Sequence, residues 1–155
     1  RGIMRFLKFE TLSERRFFLL DTFAEIPDDQ FTDYETERGV KESYADYAED
    51  CYDLAVSNFA DYPNAVLIRG AVPQTLDQID TDKICYLHID MNIALPEIAA
   101  ANYLWDKLSP GAMMLLDDYG WSGHELQKAA FDKFAEDRNI TILSLPTGQG
   151  LIIKP

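Results

Sequence analysis

Basic side chains are scarce in this chain, with 14 Lys and Arg against 27 Asp and Glu for a formal net charge of −13. Such a surface repels phosphate backbones and anionic lipid, which argues against nucleic acid or a membrane as partner. Solubility alone would also account for the charge; if it serves a ligand, that ligand is a small neutral or cationic molecule or a metal ion. Cysteine is equally sparse. Cys51 and Cys85 form no CxxC pair, and no signal-like or membrane-length apolar segment is present, so a reducing, cytoplasmic setting without disulfides is expected. Internal repeats and low-complexity tracts are absent. The 155 residues fit a single domain, and a chain of that size buries roughly 70% of its unfolded surface. There is no initiator Met either: the chain opens with Arg1-Gly2 inside what reads as a helix, as though a segment preceded it.

What is present is a series of continuous apolar runs, several of them closed by an acid. Phe17 to Leu20 ends at Asp21, Ile84 to Ile89 at Asp90, and Met113 to Leu116 at Asp117-Asp118. Ala65 to Ile68 ends at Arg69-Gly70. Runs of this kind mark strands buried on both faces, as in a parallel sheet. Helical patterns lie between them, over Gly2 to Ser13, Tyr44 to Phe59, Pro73 to Ile79, Pro96 to Leu108 and Gly123 to Arg138. Asp61-Tyr62-Pro63-Asn64 stops the second and Pro110-Gly111 the fourth. Pro27 to Val40 has little periodicity and reads as a mobile acidic flap. Ile140 to Leu145 and Leu151 to Lys154 form a hairpin around Pro146-Thr147-Gly148-Gln149-Gly150. The alternation predicts an α/β fold, a Rossmann-like mostly parallel sheet with helices on both faces and a C-terminal antiparallel β-hairpin.

Ligands of such folds collect at the carboxyl edge of the sheet, which is where the acids fall. Asp90, Asp117 and Asp118 offer oxygen-only ligands suited to a hard cation such as Mg²⁺. Capping of the next helix by Asp117 or Asp118 is the competing reading, and spacing does not decide between them. Asp21 is placed either to accept ribose hydroxyls or to close a turn. Gly70 permits close approach of an adenine or simply ends a strand. His88, inside an apolar run, reads as a core histidine, and His124 as a solvent-facing helix start. Tyr119, Trp121 and Tyr103 suit an aromatic wall or packing, Tyr44, Tyr47 and Tyr52 a helix face, and Gln149 the shaping of the hairpin.

Five strings in order narrow the reading. Leu20-Asp21-Thr22-Phe23 with Ile26-Pro27, Ile68-Arg69-Gly70 with Val72-Pro73 and Thr75-Leu76, Leu87-His88-Ile89-Asp90, Leu115-Leu116-Asp117-Asp118-Tyr119-Gly120 and Leu145-Pro146-Thr147-Gly148-Gln149-Gly150 together resemble the macrocin O-methyltransferase family of class I S-adenosylmethionine-dependent methyltransferases. The resemblance implies S-adenosylmethionine as methyl donor, with Asp21 on its ribose, Gly70 by its adenine, and Asp90 at the cofactor as well as the metal. It implies Mg²⁺ held by Asp90, Asp117 and Asp118. Arg1-Gly2 is similar to the tail of the family's glycine-rich turn, roughly G-V-W-R-G-G, so Gly2 would be its last glycine. The strand before that turn would then be absent, leaving a gap in the middle of the sheet.

Asn92 departs from the family pattern. The family has D-x-D where this chain has Asp90-Met91-Asn92, and the second Asp is its proposed general base. An amide accepts no proton at neutral pH, so either the metal alone acidifies the acceptor hydroxyl, with Asn92 binding that hydroxyl, or His124 serves as base. The expected activity is Mg²⁺-assisted O-methylation of a hydroxyl on a sugar or other small metabolite, with assembly as a homodimer left open. An incomplete or inactive methyltransferase fold acting as a binding or oligomerisation module is the alternative. A nucleotide-binding oxidoreductase would fit the fold but gives no reason for paired aspartates.

Overall fold

The computed structural model describes residues 1–155 except the side chain of Tyr47, so that member of the tyrosine series lies outside the described residues. In chain order the elements are α1 (Gly2–Leu7), β1 (Phe17–Asp21), α2 (Asp33–Glu37), α3 (Val40–Ser43), α4 (Tyr52–Phe59), β2 (Ala65–Arg69), β3 (Ile84–Ile89), α5 (Ala94–Leu104), β4 (Leu108–Leu116), α6 (Glu125–Arg138), β5 (Leu143–Ser144) and β6 (Gly150–Ile153). This is the α/β class predicted, with parallel strand pairs and an antiparallel C-terminal pair. The chain divides into two compact units, residues 1–27 with 39–79 and residues 28–38 with 80–155.

In the first unit β1 and β2 run parallel, from Phe17 opposite Ala65 to Asp21 opposite Arg69. Met4, Phe9, Phe23, Ile68 and Leu76 are buried, and Phe9 meets Phe17 edge-on at 5.6 Å. The first helix stops six residues short of Ser13, because Lys8 turns left-handed (φ 49°) and a 3₁₀ turn, Phe9–Thr11, follows. The helix expected from Tyr44 is broken as well, and α4 begins only at Tyr52. Asp50 explains the break: its Oδ1 accepts from the Tyr52 N–H at 3.0 Å and its Oδ2 takes Arg69 at 2.6 Å, so it stands outside the helix. Pro73 to Ile79 shrinks to a 3₁₀ turn at Leu76–Gln78.

The second unit holds a four-stranded sheet in the order β3-β4-β6-β5. β3 and β4 are parallel, whereas β6 runs antiparallel to both β4 and β5. The register jumps from Ile84 opposite Leu108 to Tyr86 opposite Met113. Pro110-Gly111, expected to end a helix, instead lies within β4, where Gly111 takes a φ of 81° that few other residues adopt. Past this irregularity the strands run evenly to Ile89 opposite Leu116. Ile89, Met114, Leu116 and Ile152 are buried. α5 packs against α6 and β3, with Trp105 edge-on to Phe134 at 5.3 Å. The opposite sheet face leaves Met113, Leu143 and Ile153 exposed.

The expected flap is structured where it joins this unit. Asp28–Gln30 form a 3₁₀ turn and α2 follows, started by a capping box between Thr32 and Glu35. Glu35 is only 3% exposed. Its Oε2 accepts from the Thr32 N–H at 2.8 Å and the Thr32 hydroxyl at 2.7 Å, while its Oε1 reaches the Ala94 N–H at 2.9 Å. One carboxylate therefore satisfies donors at the starts of two helices, which a reading confined to local periodicity does not see.

Candidate metal centre

Side chains two apart on a strand share a face, and those one apart do not. His88 is opposite Leu115, so continuing that register by two residues brings Asp90 level with Asp117. Asp117 stays in line past the strand end, its N–H donating to the Ile89 carbonyl at 3.0 Å. His88, Asp90 and Asp117 each contribute one donor atom to a group lying within 4.8 Å of one another. His88 is thus no core residue: its side chain is 34% exposed and its Nε2 stands 3.3 Å from Asp117 Oδ1. The H-x-D spacing would have revealed it, had the strand's alternation been applied past its last apolar residue. Asp117 Oδ1 also accepts a 2.6 Å hydrogen bond from Gln149 Nε2, so Gln149 reaches beyond its hairpin.

Asp118 lies outside that group. Its Oδ2 is 3.7 Å from His124 Nδ1 and is buried with no hydrogen-bond partner. Burial raises the Asp118 pKa, His124 opposes the rise, and the charges of Asp90 and Asp117 add to it. His124 ends the loop before α6, but it is turned inward, with Nδ1 2.7 Å from Gln127 Nε2, rather than toward solvent. Neither Asp117 nor Asp118 caps α6, whose start carries no side-chain cap.

Beneath the loop sits a second buried acid that the sequence did not disclose. Glu97, 3% exposed, accepts from the Met91 N–H at 3.1 Å. Burial pushes its pKa up to about 8; the Met91 and Asn92 N–H groups oppose the rise, and the charges of Asp118 and Asp90 add to it. Asn92 is left-handed (φ 64°), a conformation that Asn tolerates better than most residues. With Glu97 on Met91 and Glu35 on Ala94, the loop holding Asp90 and Asn92 is tied at both ends.

In the first unit Asp21 does close a turn, its Oδ1 accepting from the Phe23 N–H at 2.7 Å. Gly70 (φ 141°) has a packing reason of its own, because an added Cβ would sit 2.7 Å from Thr75 Cγ2. Gly2 is exposed at the start of α1 and meets no neighbour within 4 Å of an added Cβ. The three aromatics do not share one role. Tyr119 is buried and bonds Asp132 at 2.5 Å, Tyr103 lies under Lys107, and Trp121 is exposed.

Three solved structures share this architecture. The O-methyltransferase NovP matches with a TM-score of 0.82 at 18% identity, covering 99% of this chain and 64% of NovP. CalS11, the calicheamicin methyltransferase, matches at 0.67 and 17% identity, over 97% of this chain and 65% of its own. The apo form of CalS11, described as a TDP-rhamnose 3′-O-methyltransferase, gives 0.60 at 17%, over 97% and 64%. The fold is therefore that of O-methyltransferases, and the chain spans less than two thirds of the length of these structures. Residues 2–144 match the macrocin-O-methyltransferase (TylF) family, to which this chain belongs. No curated protein matches it. Among the described residues no helix is long and apolar enough to cross a membrane.

Proposed function

We propose that this chain carries the methyl-transfer machinery of an O-methyltransferase that uses S-adenosylmethionine and a divalent cation such as Mg²⁺ to methylate a hydroxyl of a sugar or other small metabolite. The observation that carries the reading is the meeting of His88, Asp90 and Asp117 at the ends of adjacent parallel strands. Family membership and the sugar hydroxyl named for CalS11 support the choice of acceptor. The donor set fits a cation: beyond burial, the charges of Asp90 and Asp117 add to the rise in the Asp118 pKa and those of Asp118 and Asp90 to that of Glu97, and the buried Asp118 Oδ2 lacks a hydrogen-bond partner. A bound divalent cation supplies Lewis acidity that makes an acceptor hydroxyl easier to deprotonate.

Asp90 and Asp117 would hold that cation, with Gln149 fixing the Asp117 carboxylate and Asp118 adding charge behind them. Asn92 would bind the acceptor hydroxyl without taking its proton. His124 can accept a proton at Nε2 only if the Gln127 amide presents its oxygen to Nδ1; with the amide nitrogen there, the neutral imidazole carries its proton on Nε2. In the first unit Asp21 keeps a second carboxylate oxygen for a ribose, and Gly70 would lie by the adenine.

Calorimetric titration of S-adenosylmethionine and Mg²⁺, with methyl transfer assayed on a panel of nucleotide-linked sugars, tests the reading. Both ligands are expected to bind, with Asp90→Asn and Asp117→Asn each weakening Mg²⁺ at least about tenfold. Failure of the chain to bind either ligand would overturn it. The amide at Asn92 favours a second reading, an inactive methyltransferase fold that serves as a binding or self-associating module. Donor binding without transfer to any sugar would select it.

A further inference from the structure

The family resemblance points to an all-oxygen site for Mg²⁺, and the donor group in this chain contains a nitrogen. We propose that His88 ligates through Nε2 beside Asp90 and Asp117, so that the site selects a first-row transition ion over Mg²⁺. The inference rests on the cation-assisted reading above and specifies the ion.

Three observations bear on the contact between His88 and Asp117. At 3.3 Å it is long for a hydrogen bond between an imidazole and a carboxylate. The oxygen concerned, Asp117 Oδ1, already has a much shorter donor in Gln149, at 2.6 Å. The separation also suits two neighbouring ligands of one ion, since two donors about 2.1 Å from an octahedral centre, with their bonds at right angles to each other, are about 3 Å apart. Strand alternation aims His88 and Asp90 to the same side, and the register adds Asp117, so the backbone itself puts all three side chains on one face. Carboxylates alone suit Mg²⁺ and Mn²⁺ alike, whereas an imidazole ligand favours first-row transition ions over Mg²⁺.

Mn²⁺ binding to the intact chain, followed by electron paramagnetic resonance with spin-echo modulation, reads the ligand directly. Coupling to ¹⁴N is expected in the wild type and in His124→Gln, and its loss in His88→Gln, where the amide can still donate to Asp117. The same variant should bind Mn²⁺ at least about tenfold more weakly while its Mg²⁺ affinity changes less, narrowing the preference. Circular dichroism confirms that it folds. Bound Mn²⁺ without ¹⁴N coupling in the wild type would overturn the inference, leaving His88 a donor to Asp117 and the cation-assisted reading intact. If neither Mn²⁺ nor Mg²⁺ binds, both fall.

Discussion

Two adjacent aspartates with opposite surroundings show how much one residue of offset matters. Asp117 faces His88 and Gln149, whereas Asp118 turns a buried oxygen toward His124. The sequence displays both acids equally and cannot assign them until strand alternation is applied. Glu97 is harder still to read, since a glutamate inside an apolar helix pattern looks like a solvated position until the Met91 N–H is found against it. Its pKa, raised from an ordinary 4.5 to about 8, sets the sign of a pH effect. Between those values the folded chain keeps a proton that the unfolded chain has lost, so this group's contribution to stability falls as pH rises. Glu97→Gln should remove that decline, with urea midpoints at pH 5 and pH 8 differing less than in the wild type. At Gly70 both φ and the Thr75 methyl oppose a side chain, so Gly70→Ala should cost about 1–3 kcal/mol by denaturant titration.

Strands were legible as elements because a continuous apolar run closed by Asp or Arg favours extended chain, and β1, β2 and β3 match their predicted spans to within a residue. They are not buried on both faces as expected, however: β1 is only half-buried, and Cys85 and His88 of β3 are exposed. Helix ends were not legible. Lys8 and Asp50 interrupt helices through a backbone twist and a side-chain capture that periodicity does not encode. The acidic stretch around Glu35 reads as a mobile flap for a similar reason: a buried carboxylate is recognisable only once its donors are known. Glu35→Ala would uncover donors at both α2 and α5, costing about 2–4 kcal/mol. Hydrogen exchange should then quicken at the Thr32, Glu35 and Ala94 amides, and unchanged protection at Ala94 would contradict the double role.

For the molecule as a whole, the −13 net charge implies self-repulsion that salt screens. The thermal midpoint should climb as NaCl rises from about 10 to 150 mM, and most steeply when no divalent ion is present, because a bound cation removes part of the same repulsion. An insensitive midpoint would mean that the acids are already neutralised within the fold. The jump in pairing between Tyr86 and Ile84, where β4 spends three more residues than β3, has a consequence for evolution of the centre. Its length acts as a vernier: removing one residue there would rotate the following segment by half a pleat and present Asp118, in place of Asp117, to the imidazole. Small insertions and deletions at this jump, away from the strand ends, would thus decide which acid stands beside His88 without any change to those residues themselves.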